Sequence, residues 1–145
     1  DAWCVMLDCC SKNYLMTASI TRYVSPATLA GYFRSDGLVL GHAYSVLQLI
    51  EVELKEESRS SDFDIRDWFG MQKRPSRIKL VMLRNPHGQG DATPEGYFST
   101  QWRGPWSSGS QEWDRYPEVA HQVGYNPQNN GTFWMQWEDF CVIFD

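Results

Sequence analysis

The strongest restriction on the fold of this chain comes from two β-prone segments that a polar stretch separates. The first, GHAYSVLQLIEVE, covers residues 41–53, and the second, RIKLVMLRN, covers residues 77–85 before Pro86 and Gly88 end it. Both segments predict strands, and the first is typical of a strand that is buried on both faces for much of its length. Strict alternation in the first segment predicts one face with His42, Tyr44, Val46, Gln48, Ile50 and Val52, and another with Ala43, Ser45, Leu47 and Leu49.

The rest of the chain adds a short helix and further strands. Residues 2–10 predict the end of a helix, and residues 15–20 predict a short apolar strand. Residues 54–76 are rich in charge and serine, which indicates an excursion from the sheet, and residues 131–145 predict a strand followed by an aromatic-anchored element. We therefore predict an α+β fold, predominantly antiparallel β with short peripheral helices, in a single domain over residues 1–145.

Charge and hydropathy argue against two classes of function. The net charge is -5 and no basic run extends beyond Lys73-Arg74, so the chain lacks the positive footprint that nucleic acid requires. No stretch approaches the roughly 18 apolar residues that a transmembrane helix needs. We therefore predict neither a nucleic-acid partner nor a transmembrane segment.

The four cysteines indicate a reducing compartment. Cys9 and Cys10 are neighbours, which does not suit a disulfide framework, and Cys4 and Cys141 form no CxxC pair with them. Free thiols are typical of cytoplasmic proteins. We predict a cytoplasmic location and no metal site.

His42 and Asn85 are the candidate chemical residues. His42 begins the first predicted strand and Asn85 ends the second, so antiparallel pairing of the two strands would bring them together. An amide oxygen on one ring nitrogen leaves the other nitrogen able to exchange protons, as in a Cys-His-Asn site. Spacing alone leaves a second interpretation open, in which His42 is a core histidine and Asn85 forms a turn before Pro86.

Four sequence motifs around these residues favour the catalytic interpretation. They are GLVLGHAYSV (37–46), LRNPHG (83–88), WRGPWSSGSQEW (102–113) and GTFWMQWEDF (131–140). In order and spacing they resemble the calpain family of papain-like cysteine proteases, and KNYLMTASI (12–20) is similar to a strand of the same subdomain. The resemblance covers nearly the whole chain.

This resemblance implies the second half of a protease core. It implies the right-hand, His/Asn subdomain of a papain-like fold, with His42 and Asn85 catalytic and the nucleophilic cysteine on a preceding subdomain of the same parent chain. The motifs place five further residues near the pair, namely Gly41, Pro86, His87, Gly88 and Trp106. The implied activity is endopeptidase cleavage of intracellular proteins, with this fragment inactive alone.

The cysteines of this chain do not match the nucleophile motif of the family. That motif is G-D-C-W, whereas Cys9 follows an Asp but precedes Cys10 instead of Trp. Cys9 also falls before the first strand of the resembling subdomain. We therefore predict that the nucleophile is not in this chain.

Two departures from the family pattern affect the predicted chemistry. His87 replaces the Trp that shields the His–Asn hydrogen bond in the family, so we expect a thinner shield. The acids that bind calcium in this half of the family core are replaced by uncharged residues, which are Gln101, Ser108, Asn130 and Thr132. Because calcium prefers several carboxylate oxygens, we predict that this calcium site is lost and that the chain needs no cofactor.

Three other interpretations remain open at this level. The parent protein could lack the nucleophile and act as a non-catalytic, calpain-like scaffold or regulator. The amphipathic segment at 62–70 could dock a partner or a lipid surface instead of forming a solvated flap. A sugar-stacking face could also form from five tryptophans, which are Trp102, Trp106, Trp113, Trp134 and Trp137.

Overall fold

The structure is a computed structural model that describes residues 1–21, 34–54, 75–86, 101–127 and 130–145. In chain order its elements are α1 (Ala2–Ser11), β1 (Met16–Ser19), β2 (Ala43–Glu53), β3 (Arg77–Arg84), α2 (Gln111–Arg115), α3 (Pro117–Val123), β4 (Thr132–Gln136) and α4 (Trp137–Ile143). Among the described residues, four strands form one sheet in the order β1-β2-β3-β4, and each neighbouring pair is antiparallel. The predicted α+β class with antiparallel strands is confirmed.

Local sequence explains where the first helix begins and ends. The Asp1 side chain accepts a hydrogen bond of 3.2 Å from the backbone N–H of Trp3, which caps the first turn of α1. Asn13 adopts a left-handed conformation with φ of 57° just beyond the last turn. Asparagine tolerates this conformation better than most residues, so the chain turns here and enters β1.

The predicted alternation along β2 is wrong beyond Val46. The pairing of β2 with β3 shifts between Val46 and Gln48, so Leu47 is an extra residue of the β-bulge type. Because one extra residue exchanges the two faces of a strand, Leu49 packs in the same cluster as Val46, although alternation assigns them to opposite faces. Leu47 itself is 44% exposed.

The sheet is covered on both faces. Side chains from α1 and α4 cover one face, and we call their cluster the first core cluster; its members include Trp3, Tyr44, Val46, Leu83, Phe133, Phe140 and Phe144. Residues from α2 and α3 and the segment before them cover the other face as the second core cluster, which includes Val52, Leu80, Trp106, Trp113, Tyr116 and Trp134. Burial of strands on both faces accounts for their nearly continuous apolar sequence.

The sequence pattern does not locate α2 and α3, although it predicts short peripheral helices in general. Pro117 occupies the first turn of α3, where its fixed φ and missing N–H are tolerated. Gly124 ends α3 in the left-handed conformation. Five to seven residues are too few to produce a clear apolar periodicity, so capping residues are the main sequence signal for helices of this length.

The predicted excursion from the sheet lies largely outside the described residues. The structure does not describe residues 55–74, which include the amphipathic segment at 62–70, or residues 87–100. Within the part of the chain that the structure describes, no helix has the length and apolar character needed to cross a bilayer.

Candidate active site

The antiparallel pairing of β2 and β3 brings His42 and Asn85 together. Ser45 is paired with Arg84, so the residues just before β2 lie beside the residue just after β3. The His42 Nε2 and Asn85 Oδ1 atoms are 2.9 Å apart, which is hydrogen-bonding distance. Two residues 43 positions apart in the chain are therefore neighbours at one end of the sheet.

The contact determines which ring nitrogen of His42 carries a proton. An amide oxygen accepts hydrogen bonds and cannot donate them, so Nε2 must be the donor in the neutral ring. The neutral imidazole then has Nδ1 as the nitrogen that accepts a proton. This is the tautomer that a Cys-His-Asn site uses, because the amide orients the ring while the opposite nitrogen exchanges protons.

Asn85 makes hydrogen bonds through both its side chain and its backbone. It is 2% exposed, which is unusual for an amide side chain. Its backbone N–H donates to the carbonyl of Gly131, at 2.9 Å, just before β4 begins. The neighbouring pair, Arg84 and Thr132, continues the β3–β4 ladder directly from this bond. The buried amide is therefore fixed at the junction of three strands.

The backbone around His42 is hydrogen-bonded to Ile20, the residue that follows β1, on the side of β2 away from β3. The Gly41 N–H donates to the Ile20 carbonyl at 2.7 Å, and the Ile20 N–H donates to the His42 carbonyl at 3.4 Å. Gly41 has φ of 63°, in the left-handed region that favours glycine. A glycine immediately before His42 therefore lets the chain turn sharply into β2. The ring of His42 is half-buried.

Tyr44 supports the imidazole from within the core. The two rings are in edge-to-face contact, with centroids 4.9 Å apart and planes at 83°. The Tyr44 hydroxyl accepts a hydrogen bond of 2.9 Å from the N–H of Val39. Burial raises the pKa of the Tyr44 phenol, the Val39 hydrogen bond lowers it, and the Asp36 carboxylate raises it. Because the net effect is upward, the phenol stays neutral at physiological pH.

Comparison with known proteins identifies the family. The whole chain, residues 1–145, matches the family described as calpain family cysteine protease. This chain belongs to the calpain family. The motifs that resemble calpains therefore reflect membership, and the α+β fold is the calpain version of a papain-like fold.

Several curated calpains are similar to this chain. It is 32% identical over 143 residues to "Calpain-type cysteine protease ADL1" of Oryza sativa subsp. japonica, covering 98% of this chain and 5% of that protein. It is 31% identical over 135 residues to "Calpain-5" of Mus musculus, covering 92% of this chain and 18% of that protein. The chain thus spans only a small part of the length of these two calpains.

The five other residues predicted to lie near His42 and Asn85 differ in where the structure places them. Gly41 and Pro86 are the chain neighbours of His42 and Asn85, as the motifs require. His87 and Gly88 lie outside the described residues. Trp106 packs in the second core cluster, against Trp113 and Tyr116, and so covers the face opposite to that of Tyr44.

Tyr44 and Gly131 support His42 and Asn85, although neither is among the site residues predicted from the sequence. Tyr44 could have been found from its spacing, because residues two apart on a strand share a face and Tyr44 follows His42 by two. Gly131 contributes only a backbone carbonyl, for which the sequence has no signal.

The four cysteines of this calpain chain are free thiols on α1 and α4. Cys10 Sγ contacts the carbonyl of Leu47 at 4.0 Å. Leu47 is five residues from His42 along β2, which is roughly 15 Å at the usual rise of about 3.3 Å per residue. Partial burial and the Glu138 carboxylate raise the pKa of the Cys141 thiol, which favours the unreactive protonated form.

The four positions where the resemblance predicts a lost calcium site hold the uncharged residues Gln101, Ser108, Asn130 and Thr132. Three of them, Ser108, Asn130 and Thr132, line a cleft of about 240 Å³ beside Trp106 and Trp134. The Asn130 Oδ1 atom accepts a hydrogen bond of 3.0 Å from the Thr132 N–H, so this amide is engaged within its own turn. Among the described residues, no group of three or more His, Cys, Asp or Glu side chains could hold a metal ion.

The tryptophans contradict a sugar-stacking face. Four of the five candidates are buried in the two core clusters, and these are Trp102, Trp106, Trp113 and Trp134. Trp137 is half-buried and packs against Trp3 and Phe140. A buried ring cannot stack on a sugar, so these residues stabilise the fold.

Proposed function

We propose that this chain is the histidine–asparagine subdomain of a calpain-type cysteine endopeptidase that cleaves intracellular proteins. The observation that carries the proposal is the 2.9 Å contact between His42 Nε2 and Asn85 Oδ1 in a chain of the calpain family. The nucleophilic cysteine is supplied by a preceding subdomain of the same parent chain, so this chain alone is inactive. Its four free thiols are the typical cysteine state in the cytoplasm, where we place the protein.

The first half of the proposed reaction forms an acyl-enzyme. The thiol of the missing subdomain gives its proton to His42 Nδ1, and the resulting thiolate attacks the carbonyl carbon of the scissile peptide bond. The carbon–nitrogen bond then breaks, and the imidazolium of His42 returns the proton to the leaving amine. Asn85 holds Nε2–H throughout, so Nδ1 keeps its direction towards the reacting atoms.

The second half releases the product. Neutral His42 takes a proton from water through Nδ1, and the hydroxide attacks the acyl carbon. The carbon–sulfur bond breaks, and the proton held by His42 restores the thiol. No metal or cofactor takes part in these steps, in accord with the proposal that the calcium site of this half is lost.

Substitution of His42 in the complete parent protein tests this proposal. We expect His42→Ala to lower kcat for peptide hydrolysis by at least about 1,000-fold, because the general acid and base are both removed. The matched control is His121→Ala, since His121 is exposed on α3, against the opposite face of the sheet. Wild-type turnover by the His42→Ala protein would contradict the assignment.

The same experiment separates the proposal from a non-catalytic scaffold. A scaffold parent shows no hydrolysis before or after the substitution, whereas a protease loses a measurable rate. The sequence of the preceding subdomain gives an independent result, since the proposal requires a cysteine in the G-D-C-W context there.

A further inference from the structure

We propose that Tyr44 is a positioning residue that fixes the plane of the His42 imidazole. The inference rests on the proposed function, in which His42 transfers protons, and it adds a second support to the one that Asn85 provides. A hydrogen bond at Nε2 holds one atom of the ring, and the ring can still rotate about that bond. A second contact is needed to fix the direction of Nδ1.

The position of Tyr44 in β2 makes it the natural second contact. Residues two apart on a strand project from the same face, so the side chains of His42 and Tyr44 are neighbours. Their rings meet edge to face, with planes at 83° and centroids 4.9 Å apart, within the range that aromatic pairs prefer. Rotation of the imidazole away from the Asn85 amide would break this contact, so the two supports favour the same orientation.

Tyr44 is itself immobilised from two other elements. It is fully buried, and its ring packs edge to face against Phe133 of β4 at 6.0 Å and against Phe144, which follows α4, at 5.5 Å. Close packing in a core restricts a side chain to one arrangement. The ring that contacts His42 is therefore a rigid part of the first core cluster.

The Tyr44 hydroxyl holds the loop that leads into His42. It accepts the Val39 N–H at 2.9 Å, three residues before the imidazole. The same loop is tightly packed further back, where a Cβ on Gly37 would lie 1.7 Å from the carbonyl oxygen of Gln101. Tyr44 thus acts on His42 in two ways, through its ring on the side chain and through its hydroxyl on the backbone.

NMR on this chain tests the ring contact without any need for activity. The chain has 3 histidines, so selective labelling gives few signals, and the His42→Ala protein assigns the relevant one. In the wild type we expect nuclear Overhauser contacts between the two rings and imidazole nitrogen shifts of the Nε2–H tautomer. Absence of the ring-to-ring contacts in the wild type would overturn the proposal even if every variant failed to fold.

Three variants separate the ring from the hydroxyl and from general core damage. We expect Tyr44→Leu to move the imidazole nitrogen shifts towards a mixture of tautomers, whereas Tyr44→Phe keeps the wild-type tautomer because the ring remains. The matched control is Tyr116→Leu, the same chemical change in the second core cluster, which should leave the His42 signals in place. Unchanged His42 signals in folded Tyr44→Leu protein would refute the positioning role.

Kinetics in the complete parent protein test the consequence for catalysis. We expect Tyr44→Leu to lower kcat about tenfold with KM within about twofold, and Tyr44→Phe to lower kcat by about threefold or less. If His42→Ala abolishes turnover but Tyr44→Leu does not change kcat, the positioning role fails and the proposed function survives. If His42→Ala retains turnover, the proposed function fails, and the NMR result still decides whether Tyr44 orients the ring.

Discussion

A buried polar side chain on each face of the sheet has a different kind of hydrogen-bond partner. On the face of the first core cluster, the Asn85 amide is buried and its oxygen bonds a half-buried histidine from another strand. On the opposite face, the buried Trp113 Nε1 donates to the backbone carbonyl of Ser107, six residues earlier in the chain, at 2.8 Å. A local bond to backbone stabilises the fold, whereas the bond between distant side chains at the end of the sheet orients an imidazole that can exchange protons.

The same contrast extends to the cleft on the second face and the imidazole on the first. The cleft beside Trp106 is lined by the neutral side chains of Ser108, Asn130 and Thr132, and the Asn130 oxygen is bonded within its own turn. The His42 ring lies at the other face with a defined tautomer. The first face therefore presents an oriented imidazole, whereas the cleft of the second face presents uncharged side chains beside two buried tryptophans.

The largest expected effect is on stability, from the second face. Trp106 is 2% exposed, so we expect Trp106→Ala to lower the free energy of unfolding by about 3–5 kcal/mol. Urea denaturation measures this change. In protein that remains folded, the His42 imidazole shifts should stay at wild-type values, because Trp106 covers the opposite face.

Leu83→Ala is the comparison variant for the first face. Leu83 is fully buried two residues before Asn85, so its removal should cost about 2–5 kcal/mol and also disturb the His42 signals. Equal disturbance of His42 by the Trp106 and Leu83 variants would show that the two faces are not independent.

A smaller effect is expected from the amide that orients the histidine. Asn85→Ala leaves the Nε2–H of His42 without its acceptor, which costs about 1–3 kcal/mol. We therefore expect kcat of the parent protein to fall by roughly 10- to 100-fold, less than for His42→Ala. The control is Asn126→Ala, since Asn126 is an exposed amide beside the cleft of the second face. A loss as large as that of His42→Ala would assign Asn85 a direct part in the chemistry.

Calcium should have no measurable effect on this chain. Uncharged side chains at Gln101, Ser108, Asn130 and Thr132 are poor ligands for a hard cation, so we expect calorimetry to detect no binding at micromolar calcium. A variant with acids at all four positions sharpens the test, because it should gain binding if only the charges are missing. Micromolar binding by the wild-type chain would contradict the prediction.

Among the substitutions, the smallest expected effect is a pH-dependent change in stability at Asp139 on α4. Burial, and secondarily the Glu138 carboxylate, raise the pKa of Asp139 above its ordinary value of 3.8. An acid whose pKa is raised by folding binds its proton more tightly when folded, so its charge destabilises the fold at neutral pH. This cost disappears as the pH falls below the unfolded value.

We therefore expect Asp139→Asn to raise the melting temperature slightly at pH 7 and to have no effect near pH 3. Thermal unfolding at several pH values measures the difference. Glu138→Gln should act in the same direction and less strongly, and a lower melting temperature for Asp139→Asn at pH 7 would contradict the stated cause.

The sequence alone predicts the central strands, the pairing of His42 with Asn85 and the family. The apolar runs at 41–53 and 77–85 predict the central strands, and antiparallel pairing is enough to bring His42 beside Asn85. The motifs around both residues predict the calpain family, which the comparison confirms. These features are predictable because side-chain periodicity and strand ends depend on residues that are close together in the sequence.

Only the tertiary structure decides which side chains meet across elements. The bulge at Leu47 exchanges the faces of β2, because a single extra residue has no signature in an apolar run. Packing against α2 and α3 places Trp106 on the face opposite to Tyr44, although its motif suggests a position near the pair. The enclosure of Tyr44 by Phe133 and Phe144 depends on β4 and α4, which follow β2 by some 80 residues or more. Such contacts are decided by how whole elements pack, and no local pattern in the chain records them.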